Sequence, residues 1–210
     1  MDKTKEPKMK INEHRSGAWT PDLTEEEKAT LFSIAKDTLA WCVSKADSGE
    51  KEPFAIEGYA LTPKLKTPLH TFVTLKTRGD LRGCIGSLPP AAALPLYRSV
   101  HQNAISAALH DYRFSPVQPA ELATIAVDVS ILSPVKTIPN LEAFKLGKHG
   151  IILSKGASRA VFLPEVATEQ GWTKEETLAH LSRKAGLAAD AWHRDAQFQV
   201  FESVVLSLGK

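Results

Sequence analysis

Two cysteines in 210 residues are too few for a disulfide framework, so a reducing compartment is expected. Charge of one sign is also missing. Twenty-six Lys and Arg against 24 Asp and Glu leave a net charge of +2, and no basic run stands outside the N-terminal segment, which argues against a nucleic-acid partner. No apolar stretch approaches the ~20 residues needed to span a bilayer. Residues 1–16 are polar and lysine-bearing, without the apolar region of a secretory signal. These absences predict a cytoplasmic protein with no membrane partner. The phosphate-binding loop, the dinucleotide fingerprint, the nucleophile-elbow serine and His-Glu-x-x-His are absent as well. The seven histidines lack ligand spacing and the two cysteines lie far apart, so neither a metal nor a cofactor is expected.

What is present is ordinary for a folded protein, with 43% hydrophobic and 24% charged residues. Residues 1–20 have little to bury and read as a disordered tail or a cloning remnant. The remainder, 21–210, reads as a single domain of two lobes. Thr24-Glu25-Glu26-Glu27 is a capping box that opens a helix with Leu31, Ile34, Ala35, Thr38, Leu39 and Cys42 on one face, which places Cys42 in the core. Residues 48–68 read as a loop. Residues 70–76 and 81–87 form a β-hairpin around Arg78-Gly79. A helix is expected over 91–110, with an inner face of alanines that would let it sit close to a sheet. Residues 124–132 alternate as a half-buried antiparallel strand. A second hairpin is expected from 146–153 and 159–163, then a helix behind the capping box at Thr173–Glu176, then a last strand over 198–206. The order predicts an α+β fold, mainly antiparallel, with flanking helices.

Leu81-Arg82-Gly83-Cys84-Ile85-Gly86-Ser87 is the most informative stretch. A glycine in a strand costs roughly 0.5–1 kcal/mol relative to alanine, and this strand has two. Strand glycines mark a bulge or a close approach by backbone or ligand, so Gly83 and Gly86 are candidate ligand-binding positions. A guanidinium at Arg82 beside Cys84 would favour the thiolate, the nucleophilic form. Cys84 as a small buried hydrophobe is the other reading left open by these residues.

His149, between Gly147 and Gly150, repeats the pairing of glycines with a reactive side chain. Were folding to join the two hairpins, His149 would serve as a base toward Cys84. A turn histidine is the alternative. Arg113, in the Asp-Tyr-Arg-Phe loop, and Lys184, near a helix C-terminus where a cation meets the dipole, are weaker candidates for ligand binding.

Residues 71–76, the Arg82-Gly83-Cys84-Ile85-Gly86 run, Arg113-Phe114-Ser115-Pro116-Val117, Gly147-Lys148-His149-Gly150, Phe162-Leu163-Pro164-Glu165-Val166-Ala167, Gly171-Trp172 and Lys184-Ala185-Gly186-Leu187 together resemble the AMMECR-type domain, in order, from about 31 to 201. The resemblance implies one α+β unit of two lobes. It implies no established activity. Prokaryotic members look like components of a system with a Memo-like protein, related to non-haem iron dioxygenases, and a radical S-adenosylmethionine (SAM) protein. Those two proteins are the implied partners. The family often has cysteine where this chain has Ser182, so a two-cysteine site is not expected, and Ser182 should face a pocket or the core. It also often has proline where this chain has Tyr112. Two functions follow as expectations: an enzyme with a pocket on Arg82 and Cys84 and His149 as base, or a binding module for a protein or small ligand that uses the same groove.

Overall fold

The computed structural model describes residues 10–44 and 54–208. Among them the fold is α+β, with four α-helices and two antiparallel sheets. The five-stranded sheet runs β1-β9-β4-β2-β3 and the four-stranded sheet β5-β8-β6-β7. The strands are β1 (Ile11–Arg15), β2 (Thr71–Thr77), β3 (Asp80–Gly86), β4 (Ile125–Leu132), β5 (Lys136–Ile138), β6 (Gly150–Lys155), β7 (Ser158–Phe162), β8 (Gln197–Phe201) and β9 (Ser203–Leu208). The helices are α1 (Glu25–Ser44), α2 (Leu96–Leu109), α3 (Pro164–Glu169) and α4 (Lys174–Lys184). The chain divides into two compact units. The first holds the described residues of 10–14, 21–131 and 205–208, and the second holds Arg15–Thr20 and Leu132–Val204.

In the first unit the alternation of β2 and β4 buries Val73, Leu75, Val127, Val129 and Ile131, and α2 packs on β2 and β3 with α1 against it. The alanine face of α2 does what its sequence promised. Ala104 and Ala107 are buried, and the helix comes so near the sheet that a Cβ on Gly83 would land on the Ala107 carbonyl oxygen. The β2–β3 turn carries positive φ at both Arg78 (55°) and Gly79 (93°), the pattern whose twist matches a two-residue hairpin. Cys42 is buried in the core, 3% exposed.

In the second unit Phe144, Ile151, Leu153, Ala160, Phe162, Leu178, Leu181, Phe198 and Val200 form one core. Ser182 is fully buried, and its hydroxyl donates to the Leu178 carbonyl at 2.9 Å.

Several sequence expectations need correction. The tail expectation fails from Ile11 onward, because Ile11–Arg15 is a strand hydrogen-bonded to β9 and Glu13 pairs with the buried Lys28 at 2.7 Å. Backbone pairing, which needs no apolar run, orders this polar stretch. Residues 1–9 lie outside the described part, as does 48–53 of the predicted loop. The second helix begins at Leu96 rather than 91, because Pro95 is its N-cap and proline disfavours helical geometry in the residue before it. The strand expected from 146 begins at Gly150, after a turn. The last strand is two, β8 and β9, one in each sheet, with Glu202 between them.

Candidate functional site

The site is built on the edge of the first sheet. β3 is its last strand, so alternate residues turn backbone groups away from β2. At Cys84 both such groups are occupied by side chains. The Cys84 N–H donates to Asp111 Oδ2 at 2.8 Å, and Arg113 Nη2 donates to the Cys84 carbonyl at 3.2 Å. The two side chains also hold each other, Arg113 Nε on Asp111 Oδ1 at 2.9 Å and Nη2 on Oδ2 at 2.7 Å. The Asp111 side chain is 2% exposed. The hydrogen bonds from Arg113, with help from the Cys84 and Arg113 backbone, outweigh burial and hold its carboxyl down at about 2.

The loop that delivers these groups is a tight turn. Phe114 N–H closes on the Asp111 carbonyl at 3.0 Å, and Asp111 Oδ1 accepts the Arg113 N–H at 3.2 Å, the local bond that suits aspartate to the first turn position.

The thiol has its own donor. Thr74 is registered opposite Cys84, and its hydroxyl donates to Sγ at 3.3 Å. Cys84 is half-buried.

Arg82 is turned to a different task from the one its position suggested. Its Nε and Nη2 grip Glu121 Oε1 and Oε2 at 2.7 and 3.0 Å, a bidentate pair of the strong kind. Glu121 lowers its own carboxyl range by that bond and by accepting the Gln118 N–H. Arg82 and Arg113 lie over the Phe114 ring at 6.0 and 5.5 Å from its centroid. The cation bonded to Cys84 is Arg113, through the backbone carbonyl. The close approaches expected at Gly83 and Gly86 are made by the protein itself: a Cβ on Gly86 would strike the Phe72 ring, as one on Gly83 would strike Ala107. Both glycines are explained by packing.

His149 and Lys184 belong to the second unit. His149 Nδ1 accepts the Lys145 N–H at 3.2 Å, and burial, then Lys148, depresses its pKa. Its flanking glycines also have structural reasons. Gly147 has a φ of +71°, and a Cβ on Gly150 would meet the Phe201 ring. Lys184 Nζ donates to the Val161 carbonyl at 2.9 Å and lies 4.8 Å from the Phe162 ring centroid, which ties α4 to β7.

Asp111, Thr74 and Glu121 escaped the sequence reading. Asp111 at the head of Asp-Tyr-Arg-Phe carried a turn signal that would have marked it. Among the described residues, no group of three or more His, Cys, Asp or Glu is placed to hold a metal ion, and no helix is long and apolar enough to cross a membrane.

The comparisons with known proteins agree with this architecture. The crystal structure of uncharacterized protein PH0010 from Pyrococcus horikoshii superposes with a TM-score of 0.76 at 30% identity, covering 89% of this chain and 93% of that one. Protein MK0488 of Methanopyrus kandleri is 38% identical over 193 residues, 87% of this chain and 89% of its own length. Protein Mbar_A1807 of Methanosarcina barkeri is 35% identical over 190 residues, with 87% and 91% covered. The AMMECR1 family model matches residues 32–206, and the chain belongs to that family.

Proposed function

We propose that Cys84 is the working group of this protein, a thiol held toward its thiolate form for nucleophilic or accessory chemistry. The observation that carries this reading is the Thr74 hydroxyl donating to Sγ at 3.3 Å on a residue that is only half-buried. A hydrogen bond to the sulfur favours its charged form, and a nearby guanidinium does the same. Arg113 supplies that charge, offset in part by the Asp111 carboxylate paired with it at 2.7 Å, so the Thr74 hydrogen bond carries the reading. Arg82 supports the loop through Glu121. His149 is given no base role here, because the lone pair on Nδ1 is taken by the Lys145 N–H. From the family resemblance, the thiol serves alongside a Memo-like protein and a radical SAM protein.

A binding module on the same surface is the second reading. It is favoured by Tyr112, 94% exposed between Asp111 and Arg113, since tyrosine and arginine dominate interface hot spots.

Alkylation of Cys84 by iodoacetamide as a function of pH separates the two, with buried Cys42 as the slow internal reference. The thiol reading expects an apparent pKa clearly below the ordinary value of about 8.5, and a rise towards it in Thr74→Val. An ordinary pKa that Thr74→Val leaves unchanged removes the thiol reading and leaves the binding module.

A further inference from the structure

The turn before β6 is closed by two hydrogen bonds between the same pair of residues. The His149 N–H donates to the Lys145 carbonyl at 2.9 Å, and the Lys145 N–H donates back to Nδ1 of the His149 ring at 3.2 Å. Gly147 takes the left-handed φ of +71° that the turn requires. Phe144, just before it, is 1% exposed in the core.

A ring nitrogen that accepts a backbone N–H cannot carry a proton. Nδ1 is therefore the bare nitrogen of a neutral imidazole, and the proton sits on Nε2. A second proton can enter only at Nδ1, where it would oppose the Lys145 N–H.

We propose that His149 is a proton-operated clip on the 145–150 turn: neutral, it holds the Lys145 amide, and protonated, it must release it. The charged groups around the ring set the response. Burial, above all, and then Lys148 and Lys145 from its own turn disfavour the proton, whereas Glu202 from the β8–β9 junction and the Ala143 carbonyl favour it. Glu202 is already engaged by Lys148 Nζ at 3.3 Å and by the Trp19 N–H at 2.7 Å. A protonated ring is thus drawn to a carboxylate that also accepts the Trp19 N–H and is already paired with Lys148 of the same turn. This device is independent of the Cys84 chemistry.

Amide hydrogen exchange on the full chain tests it, with the His149 ring followed by NMR between about pH 7.5 and about pH 4.5, a span that brackets an ordinary histidine. After correction for intrinsic exchange, protection of the Lys145 amide should fall about three- to tenfold relative to the Ile152 amide in β6 as the ring protonates. In His149→Gln, the side-chain oxygen can accept the same N–H without titrating, so the fall should vanish. Three results overturn the clip: Lys145 protection unchanged beside a protonated ring, a ring that stays neutral across the whole range, or the same fall in His149→Gln.

Discussion

Asp111 and Cys84, 27 residues apart, are joined by a 2.8 Å hydrogen bond from the cysteine N–H to a carboxylate oxygen, and that bond puts a charged cap on the open edge of a sheet. An edge strand presents unpaired N–H and C=O groups that invite association. Here Asp111 takes the N–H of Cys84 and Arg113 takes its carbonyl, so the ion pair stands where a neighbouring strand would. The same pair fixes the backbone that carries the thiol.

Removing the carboxylate should therefore cost more than a surface charge. In Asp111→Ala the Cys84 N–H and the Arg113 guanidinium both lose their partner, and a loss of about 2–4 kcal/mol in unfolding free energy is expected. Asp111→Asn keeps the shape without the charge and should lose less. The carboxyl sits at about 2 when folded, against an ordinary 3.8. Because the folded value is depressed, its contribution is complete above the unfolded value and is lost progressively as pH falls from there through about 2. Denaturant titration of both variants at neutral pH checks the order, and equal stability of wild type and Asp111→Ala would show that the cap contributes nothing.

Much of the scaffold was legible because its signals are local. Thr24 and Thr173 head capping boxes whose reciprocal bonds form as read, Thr24 N–H to Glu27 at 2.8 Å and Thr173 N–H to Glu176 at 2.8 Å. The alternation of β4 needed no context. The site was less legible, because register decided it. Counting back from the Thr77–Asp80 turn in an unbroken ladder pairs Thr74 with Gly83. The shift between Leu75 and Lys76 pairs it instead with Cys84 and leaves Arg82 without a partner across the ladder. A one-residue bulge thus hid the hydroxyl on the thiol. Strands β1 and β5, of five and three residues, are too short or too polar for periodicity to declare them. The glycines were read correctly as close approaches, but one sequence cannot say whether the approaching group is a ligand or the protein's own helix.

That last point has a direct test. Gly83→Ala drives a methyl into the Ala107 backbone carbonyl, which cannot move without shifting α2, and a loss of about 1–3 kcal/mol is expected. Gly58 has no atom within 4 Å of an added Cβ, so Gly58→Ala should be neutral or stabilising by up to about 1 kcal/mol. Thermal unfolding of the pair checks the contrast. A well-tolerated Gly83→Ala would return that glycine to the list of candidate ligand positions.

Tyr112 occupies the second position of the Asp111–Phe114 turn, where proline's fixed φ is favoured, and its side chain is exposed. Tyr112→Pro should retain the fold and gain up to about 1 kcal/mol from a stiffer unfolded chain. Since the bonds among Asp111, Arg113 and Cys84 do not involve the Tyr112 side chain, Cys84 alkylation should keep its pH profile. A clear drop in melting temperature would mean that the turn needs a backbone geometry proline cannot take.

Acid should weaken the protein through its half-buried histidines. Burial depresses the pKa of His70, and burial followed by Arg98 depresses that of His101, against the opposing pull of Glu57. His101 stacks on Phe54 at 4.8 Å and shares a 2.8 Å hydrogen bond with Thr38, while His70 contacts Ser87 at 3.3 Å. The unfolded chain protonates these rings at the ordinary value near 6.5, and the folded protein does so only at lower pH. Between those values the unfolded state binds more protons, so unfolding free energy rises with pH and falls as pH drops below about 6.5. Asp111 and Glu121, with depressed carboxyls, do not share in this loss until the pH is far lower. Urea titrations from about pH 7.5 to about pH 5 should show the decline, in the range that brackets the ordinary histidine value. His101→Asn should flatten part of it. His149, whose pKa burial also depresses, adds to the same decline, and a stability that is level across this range would show that all three rings take up protons as readily in the folded protein as in the unfolded chain.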